Sequence, residues 1–287
     1  MRIVTKSEDM QRLSIEYKRQ GKTVGFVPTM GYLHEGHTSL INIAHKHADV
    51  VVVSIFVNPI QFGPSEDYDR YPRDIERDKE ILEKMGVDVM FYPSVDDMYP
   101  KGFTTYVEVK GLSDKLCGRY RPGHFRGVTT VVAKLFNIVM PDVAVFGEKD
   151  AQQAIIIKRM VRDLNFPVKI IVGPTVREPD GLAMSSRNEY LTEEERKVAP
   201  AIYQSLLLAK SLVEQGERDT SKIIAAMQEF LSKYDRIKVE YIEIVDKEEL
   251  NPIERLEKGE ALIAIAAYLG KARLIDNISV KVGGDNG

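Results

Sequence analysis

The 287-residue chain has a mass of 32.5 kDa, enough for about two domains at roughly 150 residues each. Apolar residues make up 44% and charged residues 29%, the balance of a globular protein able to bury a full core. Forty basic against 43 acidic side chains leave a net charge of −3, which removes the bulk cationic field behind non-specific nucleic-acid binding. A single cysteine, Cys117, excludes an internal disulfide and a Cys-rich zinc site. The opening MRIVTKSEDMQRL lacks the apolar core of a secretory signal, and no apolar run reaches the ~18 residues of a membrane span. A cytosolic protein with no nucleic-acid or membrane partner is the expectation.

In chain order, short β-branched runs alternate with helical patterns. Thr23–Val27 reads as a strand, and Val50–Val57 is apolar enough to be a strand buried on both faces. Between them lies a helical stretch, Thr38–His47. Asp74–Met85 reads as a helix with Ile75, Leu82 and Met85 near one face and Gly86 suited to its C-terminal cap. Val87–Tyr92, Val143–Phe146 and Val168–Val172 are further strands, with Val128–Val139 and Ala151–Leu164 as helices. This alternation predicts an α/β fold, a Rossmann-like parallel sheet.

After Gly173-Pro174 the pattern changes. Thr192-Glu-Glu-Glu195 is a capping-box signature, Pro200 interrupts or restarts the helix it opens, and Thr220–Tyr234 is another helix. Strand-like runs follow at Val239–Val245, Ala261–Ala267 and Ala272–Ile275. Helices first and strands afterwards predict a smaller α+β domain. The polar stretch Thr175–Tyr190 carries the boundary, dividing the chain into residues 1–176 and 177–287.

Two of the five histidines sit together in Pro28-Thr-Met-Gly-Tyr-Leu-His-Glu-Gly-His37, directly after a strand and before a helix. In a parallel sheet that turn is where ligands bind, and the free N–H groups of a helix start favour anions. Gly31 and Gly36 allow backbone to approach a ligand closely. His34 and His37, three residues apart, can face one point and stabilise charge building on a phosphate. The His-Glu-Gly-His spacing is one residue short of the zinc-binding His-Glu-x-x-His pattern, so a metal reading is disfavoured. His45 and His47 read as surface residues at a helix end. Gly147-Glu-Lys-Asp150 follows another strand, and Lys149 is a point charge suited to phosphate oxygens. Arg119, Arg121 and His124 form a basic turn before the Val128 helix, and the long segment Asn58–Tyr71 suits a mobile lid.

These residues carry a resemblance. PTMGYLHEGH resembles the H-x-G-H signature of the nucleotidylyltransferase superfamily and, within it, the pantoate–β-alanine ligase family. The same holds for Phe56-Val-Asn-Pro-Ile-Gln-Phe62, Arg121-Pro-Gly-His-Phe125 with Gly127-Val-Thr-Thr-Val-Val, Phe146-Gly-Glu-Lys-Asp-Ala-Gln-Gln153 and Met184-Ser-Ser-Arg-Asn188. The resemblance implies ATP-dependent condensation of (R)-pantoate with β-alanine to pantothenate, AMP and diphosphate through a pantoyl-adenylate, by a homodimer. It implies ATP contacts along Met30, Gly31, Tyr32, Leu33, His34, Glu35, Gly36 and His37, and at Gly147, Glu148, Lys149 and Asp150. Further ATP contacts are implied at Val176, Met184, Ser185, Ser186 and Arg187. His34, His37, Lys149 and Arg187 would be catalytic, Gln61 and Gln153 would hold pantoate, and Gln61 would also face β-alanine. Asp78 is placed near the Mg²⁺ that accompanies ATP, although taken alone it reads as a solvated helix-face aspartate. Two other readings stay open on the residues alone: transfer of AMP to a phosphate-bearing acceptor, and a nucleotide-sensing protein without chemistry.

Overall fold

Runs of β-branched residues that are apolar at every position can only be strands with both faces covered, and the first half of the chain provides them. In the computed structural model, which describes residues 1–283, they form a six-stranded parallel sheet. Its strands are β1 (Arg2–Val4), β2 (Val24–Thr29), β3 (Val50–Ile55), β4 (Val89–Phe91), β5 (Val143–Gly147) and β6 (Lys169–Gly173), in the order β1-β4-β3-β2-β5-β6. The helices among them are α1 (Ser7–Arg19), α2 (Glu35–His45), α3 (Ile75–Lys84), α4 (Val95–Met98), α5 (Cys117–Tyr120), α6 (His124–Val139) and α7 (Ala151–Asp163). Strand alternation sorts the core into two layers. Val50 and Val52 face Met10 and Leu13 of α1 and the apolar side of α6, while Val51 and Val53 face Leu40, Ile41 and Ala44 of α2 and Leu82 of α3.

The sequence reading is right about this layout and wrong about several limits. Neither β1 nor α1 was expected. β1 is only three residues long and sits at the sheet edge against β4. Helix α2 begins at Glu35, three residues before Thr38, and α6 begins at His124, so His124 lies in a helical first turn. From β2 the chain moves to β3 on one side, whereas β5 pairs with the other side of β2. The carboxyl ends of β2 and β5 therefore flank the crevice at which open α/β sheets bind ligands.

Beyond β6 lie α8 (Glu193–Val198), α9 (Ala201–Glu214) and α10 (Thr220–Leu231), then the antiparallel sheet β7 (Ile237–Asp246), β8 (Gly259–Leu269) and β9 (Ala272–Val282). The capping box is present: Glu195 N donates to Thr192 Oγ1 at 3.3 Å and Thr192 N to Glu195 Oε2 at 2.9 Å. Pro200 separates α8 from α9. This sheet is buried on both faces. Ile263, Ile265 and Ala267 pack with Leu206, Ile223 and Met227 of the helices, whereas Leu262, Ala264 and Ala266 join the core of the parallel sheet. That explains why β8 reads as a continuous apolar run instead of alternating. Residues 284–287, the end of the second expected domain, lie outside the described residues.

Candidate active site

The turn after β2 is built on unusual backbone. Gly31 and Tyr32 both have positive φ, +83° and +52°. A Cβ at Gly31 would lie 2.9 Å from both Asp78 Oδ2 and the Ile55 side chain, so only glycine fits. Asp78 of α3 holds the turn: Tyr32 N and Leu33 N each donate to its carboxylate at 2.7 Å. Asp78 is 1% exposed, and burial raises its pKa despite those bonds. The sequence reading of Asp78 thus needs correcting. It is not a solvated helix-face residue, and both of its oxygens already serve backbone amides, which leaves it a poor magnesium ligand.

The turn delivers His34 to the N-cap of α2 and His37 to its first turn. Gly36 N donates to His34 Nδ1 at 3.1 Å, and His34 N donates to His37 Nδ1 at 3.2 Å. A neutral imidazole that accepts at Nδ1 must carry its proton at Nε2. Burial, with the nearby Lys149 charge second, lowers the His34 pKa to about 4. His37 is pushed well below the ordinary histidine value, first by burial and then by His34 and Lys149. Two neutral rings with centroids 4.1 Å apart therefore keep Nε2–H donors on the helix start.

Across the crevice, β5 ends at Gly147 and leads into a single 3-10 turn, Glu148–Asp150, that opens α7. Lys149 Nζ lies 3.9 Å from Asp150 Oδ2, its nearest ion pair among the described residues. The third wall is Met184–Arg187. Ser185 Oγ accepts from Arg187 N at 3.3 Å, and Ser186 Oγ donates to Tyr32 O at 3.3 Å, tying this loop to the histidine turn. Arg187 forks onto Asp67, with both N–H···O distances 2.9 Å.

The opposite end of the cleft is neutral in character. Gln61 ends a 3-10 turn, Pro59–Gln61, and is 8% exposed. Its Oε1 accepts from Asn58 Nδ2 at 2.9 Å, Asn58 Nδ2 also donates to Gly127 O at 3.1 Å, and Tyr99 OH donates to Asn58 Oδ1 at 2.7 Å. Helix α6 can come this close because residue 127 is glycine: a Cβ there would meet Ile60 O at 2.5 Å. Arg121 donates to His124 Nε2 at 3.1 Å, which places the ring proton on Nδ1, 2.8 Å from Gln61 O. Burial, then Arg121, depresses the His124 pKa to about 3. Arg121 also forks onto Glu66 at 2.8 and 2.5 Å. The basic turn of the sequence reading is therefore a brace on the Asn58–Tyr71 segment, with Arg121 holding Glu66 and His124 holding Gln61. Arg119 takes no part and pairs with Glu243 on β7. His45 stays at the surface with its ring against Met85 O, and His47 is exposed.

Among the residues named from sequence, Met30, His34, Gly36 and His37 line the cleft, together with Gly147, Lys149 and Asp150. Val176, Met184, Ser185, Ser186 and Arg187 line it as well, and so do Gln61 and Gln153. Gly31, Tyr32, Leu33, Glu35 and Glu148 do not: Leu33 is fully buried in the core and Glu35 is exposed. A second cavity shares Arg121, Lys149, Gln153 and Ser185 with the first and runs on towards Cys117, Tyr241 and Arg273. Asn58 and Tyr71 were missed as site residues, although Asn58 lay inside a motif already singled out. No group of three or more His, Cys, Asp or Glu side chains able to hold a metal occurs among the described residues.

Comparison with known proteins agrees with this geometry. The family model described as pantoate-beta-alanine ligase matches residues 2–279. A pantothenate synthetase of Thermotoga neapolitana is 61% identical over 96% of this chain and 99% of its own length. One of Caldicellulosiruptor bescii is 57% identical over 98% and 99%. Among solved structures, a pantothenate synthetase from Thermus thermophilus superposes with a TM-score of 0.91 at 47% identity, covering 97% of this chain and 99% of that one. The pantoate-beta-alanine ligase of Francisella tularensis, solved with beta-gamma ATP and beta-alanine, gives 0.79 at 38% identity and 97% coverage of both chains.

Proposed function

The chain belongs to the pantoate–β-alanine ligase family and is a ligase that makes pantothenate, and from that premise we propose how its own residues carry the reaction. ATP lies along the crevice between the ends of β2 and β5, its phosphates against the start of α2, Lys149 and the Ser185–Arg187 loop. Pantoate lies at the Gln61 and Gln153 end. The pantoate carboxylate, ionised at neutral pH, attacks the α-phosphorus and expels diphosphate, so no general base is needed. The site's task is alignment and charge stabilisation. The observation that carries this reading is that His34 and His37 both accept a backbone N–H at Nδ1 and line the same cleft as Lys149, which leaves each Nε2–H free to donate.

In the second step the neutral amine of β-alanine attacks the acyl carbon of the pantoyl-adenylate, the bond to the AMP oxygen breaks, and the amine proton leaves to solvent or to AMP. Gln61, fixed on both its side-chain oxygen and its carbonyl, faces both acid substrates. Uncharged amides suit this work, since a tight ion pair would blunt the attacking carboxylate.

Magnesium bound with the nucleotide would offset the charge of the phosphates. Asp150, the half-exposed carboxylate of the cleft, fits as a single protein ligand, and Asp78 does not. The division at residues 176 and 177 is supported by the separate apolar cluster of α8–α10 and the antiparallel sheet. A homodimer working in the cytosol completes the reading. Support for the compartment is the lone unpaired cysteine, and no helix among the described residues is long and apolar enough to cross a membrane. Light scattering at micromolar concentration tests the dimer, and a monomer there removes it. ATP–diphosphate exchange tests the chemistry. Exchange should require pantoate and proceed without β-alanine, and no exchange with pantoate would overturn the adenylate route.

A further inference from the structure

Two adjacent residues of β9, Asp276 and Asn277, are polar and buried, 4% and 7% exposed, in a strand whose other buried residues are all apolar. Strand alternation sends them to opposite faces. Asn277 Nδ2 donates to Glu148 O at 3.0 Å and to Lys149 O at 2.9 Å, using both of its amide hydrogens on the turn that presents Lys149. Asp276 accepts from both ends of the Arg177 guanidinium at 2.6 and 2.9 Å. Arg177 stacks on Tyr203 at 3.6 Å and donates to Gly181 O at 3.2 Å. It also lies at the foot of a small hairpin, closed by the Arg177–Ala183 bridge and by Met184 N donating to Val176 O at 3.0 Å. That hairpin runs straight into Ser185, Ser186 and Arg187.

We propose that Asp276 and Asn277 are positioning residues, a two-sided brace through which the antiparallel sheet sets Lys149 and the Ser185–Arg187 loop at a fixed separation for the triphosphate. The inference rests on the proposed role of Lys149 and deepens it. A buried ion pair adds little net stability compared with apolar packing, so what this pair supplies is geometry. Neither residue touches the reacting atoms. Asn277 acts on the backbone of the turn after β5, and Asp276 acts on the Arg177 side chain at the foot of the hairpin. A displacement of about 1 Å at a transition-state donor costs on the order of a hundredfold in rate, so holding both segments from one strand is worth two buried polar side chains.

The test is pantoate-dependent ATP–diphosphate exchange in full-length variants. Asn277→Asp keeps shape but replaces the donor amide with an acceptor facing two carbonyls. It should lower kcat about tenfold or more and leave the pantoate KM within about twofold, as should Asn277→Ala. If only packing volume matters, Asn277→Asp will match the unmodified protein, which overturns the proposal. In a Lys149→Ala background the Asn277→Ala change should cost less than about twofold, because the brace acts through Lys149. An undiminished tenfold loss there would overturn it. Amide hydrogen exchange decides independently of Lys149: Asn277→Asp should speed exchange in residues 147–152, and the isosteric Asp276→Asn in residues 177–187. Unchanged rates in both segments overturn the brace. A Lys149→Ala protein with full activity would instead overturn the assignment of Lys149, leaving the exchange rates to judge the brace.

Discussion

His34 caps helix α2 by accepting from Gly36 N, His37 accepts from His34 N, and in the proposed mechanism both present Nε2–H to the phosphates. Replacing His34, His37 or Lys149 by alanine should each cost ~10²–10³-fold in adenylate formation, the scale of losing one transition-state donor. His34→Ala should also destabilise the fold by about 1 kcal/mol through the lost cap, and thermal melts separate the two effects. Near-normal exchange in His37→Ala would remove that residue from the mechanism. His124 makes a prediction about acid. Its folded pKa of about 3 lies below the ordinary 6.5, so the unfolded chain takes up the proton first. The stability that a neutral His124 supplies is complete above pH 6.5 and drains away as pH falls towards 3, with His34, at about 4, adding to the same slope. Urea unfolding at pH 7 and pH 5 should show a smaller loss in His124→Asn than in the unmodified protein. An equal loss would mean that His124 is not held neutral by the fold.

At the scale of elements, the close seating of α6 against the Pro59–Gln61 turn depends on Gly127. Gly127→Ala would set a methyl 2.5–2.7 Å from the backbone of Ile60 and Gln61. Overpacking of this kind costs about 1–3 kcal/mol, and relief by movement of the turn should raise the pantoate KM while the ATP KM stays close to its original value. A variant with an unaltered pantoate KM would show that the turn does not position Gln61 for pantoate. The same contact shows what the sequence can and cannot reveal. β3 and α3 were legible because their signals are local: an unbroken β-branched run, and a 3.6-residue apolar stripe ending at Gly86. The gathering of His34, His37 and Lys149 in one cleft was legible because strand-to-helix turns are short and glycine-bearing. Asp78 was misread because the amides it serves lie 45 and 46 residues away. Tyr99 reaches Asn58 across 41 residues, and no local pattern announces such a contact. β1 went unseen because three edge residues carry too little periodicity, and the double-sided burial of β8 is a property of packing, not of the strand itself.

On the scale of the whole molecule, the Asn58–Tyr71 segment, expected as a mobile lid, is held by side-chain contacts. Asp67 grips Arg187, and Tyr190 OH donates to Asp67 at 3.2 Å and to Arg70 O at 3.1 Å. Glu66 meanwhile grips Arg121. The Ser185–Arg187 loop and the segment that carries Gln61 are thus latched together through side chains that line the cleft. A latch of this kind bears on an acyl-adenylate, which water destroys unless the amine arrives first, so closing the cleft protects the intermediate. Asp67→Asn keeps the shape but removes the charge that Arg187 answers, and Arg187→Ala removes the other half. Both should speed amide exchange in residues 62–71 and 184–190 of the ligand-free protein. Both should also raise the hydrolysis of pantoyl-adenylate without β-alanine several-fold, by opening a path for water. Because each change breaks one shared contact, the double variant should leak no faster than the worse of the two single variants. If the losses add, or if exchange and hydrolysis stay as they were, Arg187 acts on the phosphates alone and its grip on Asp67 has no part in guarding the intermediate.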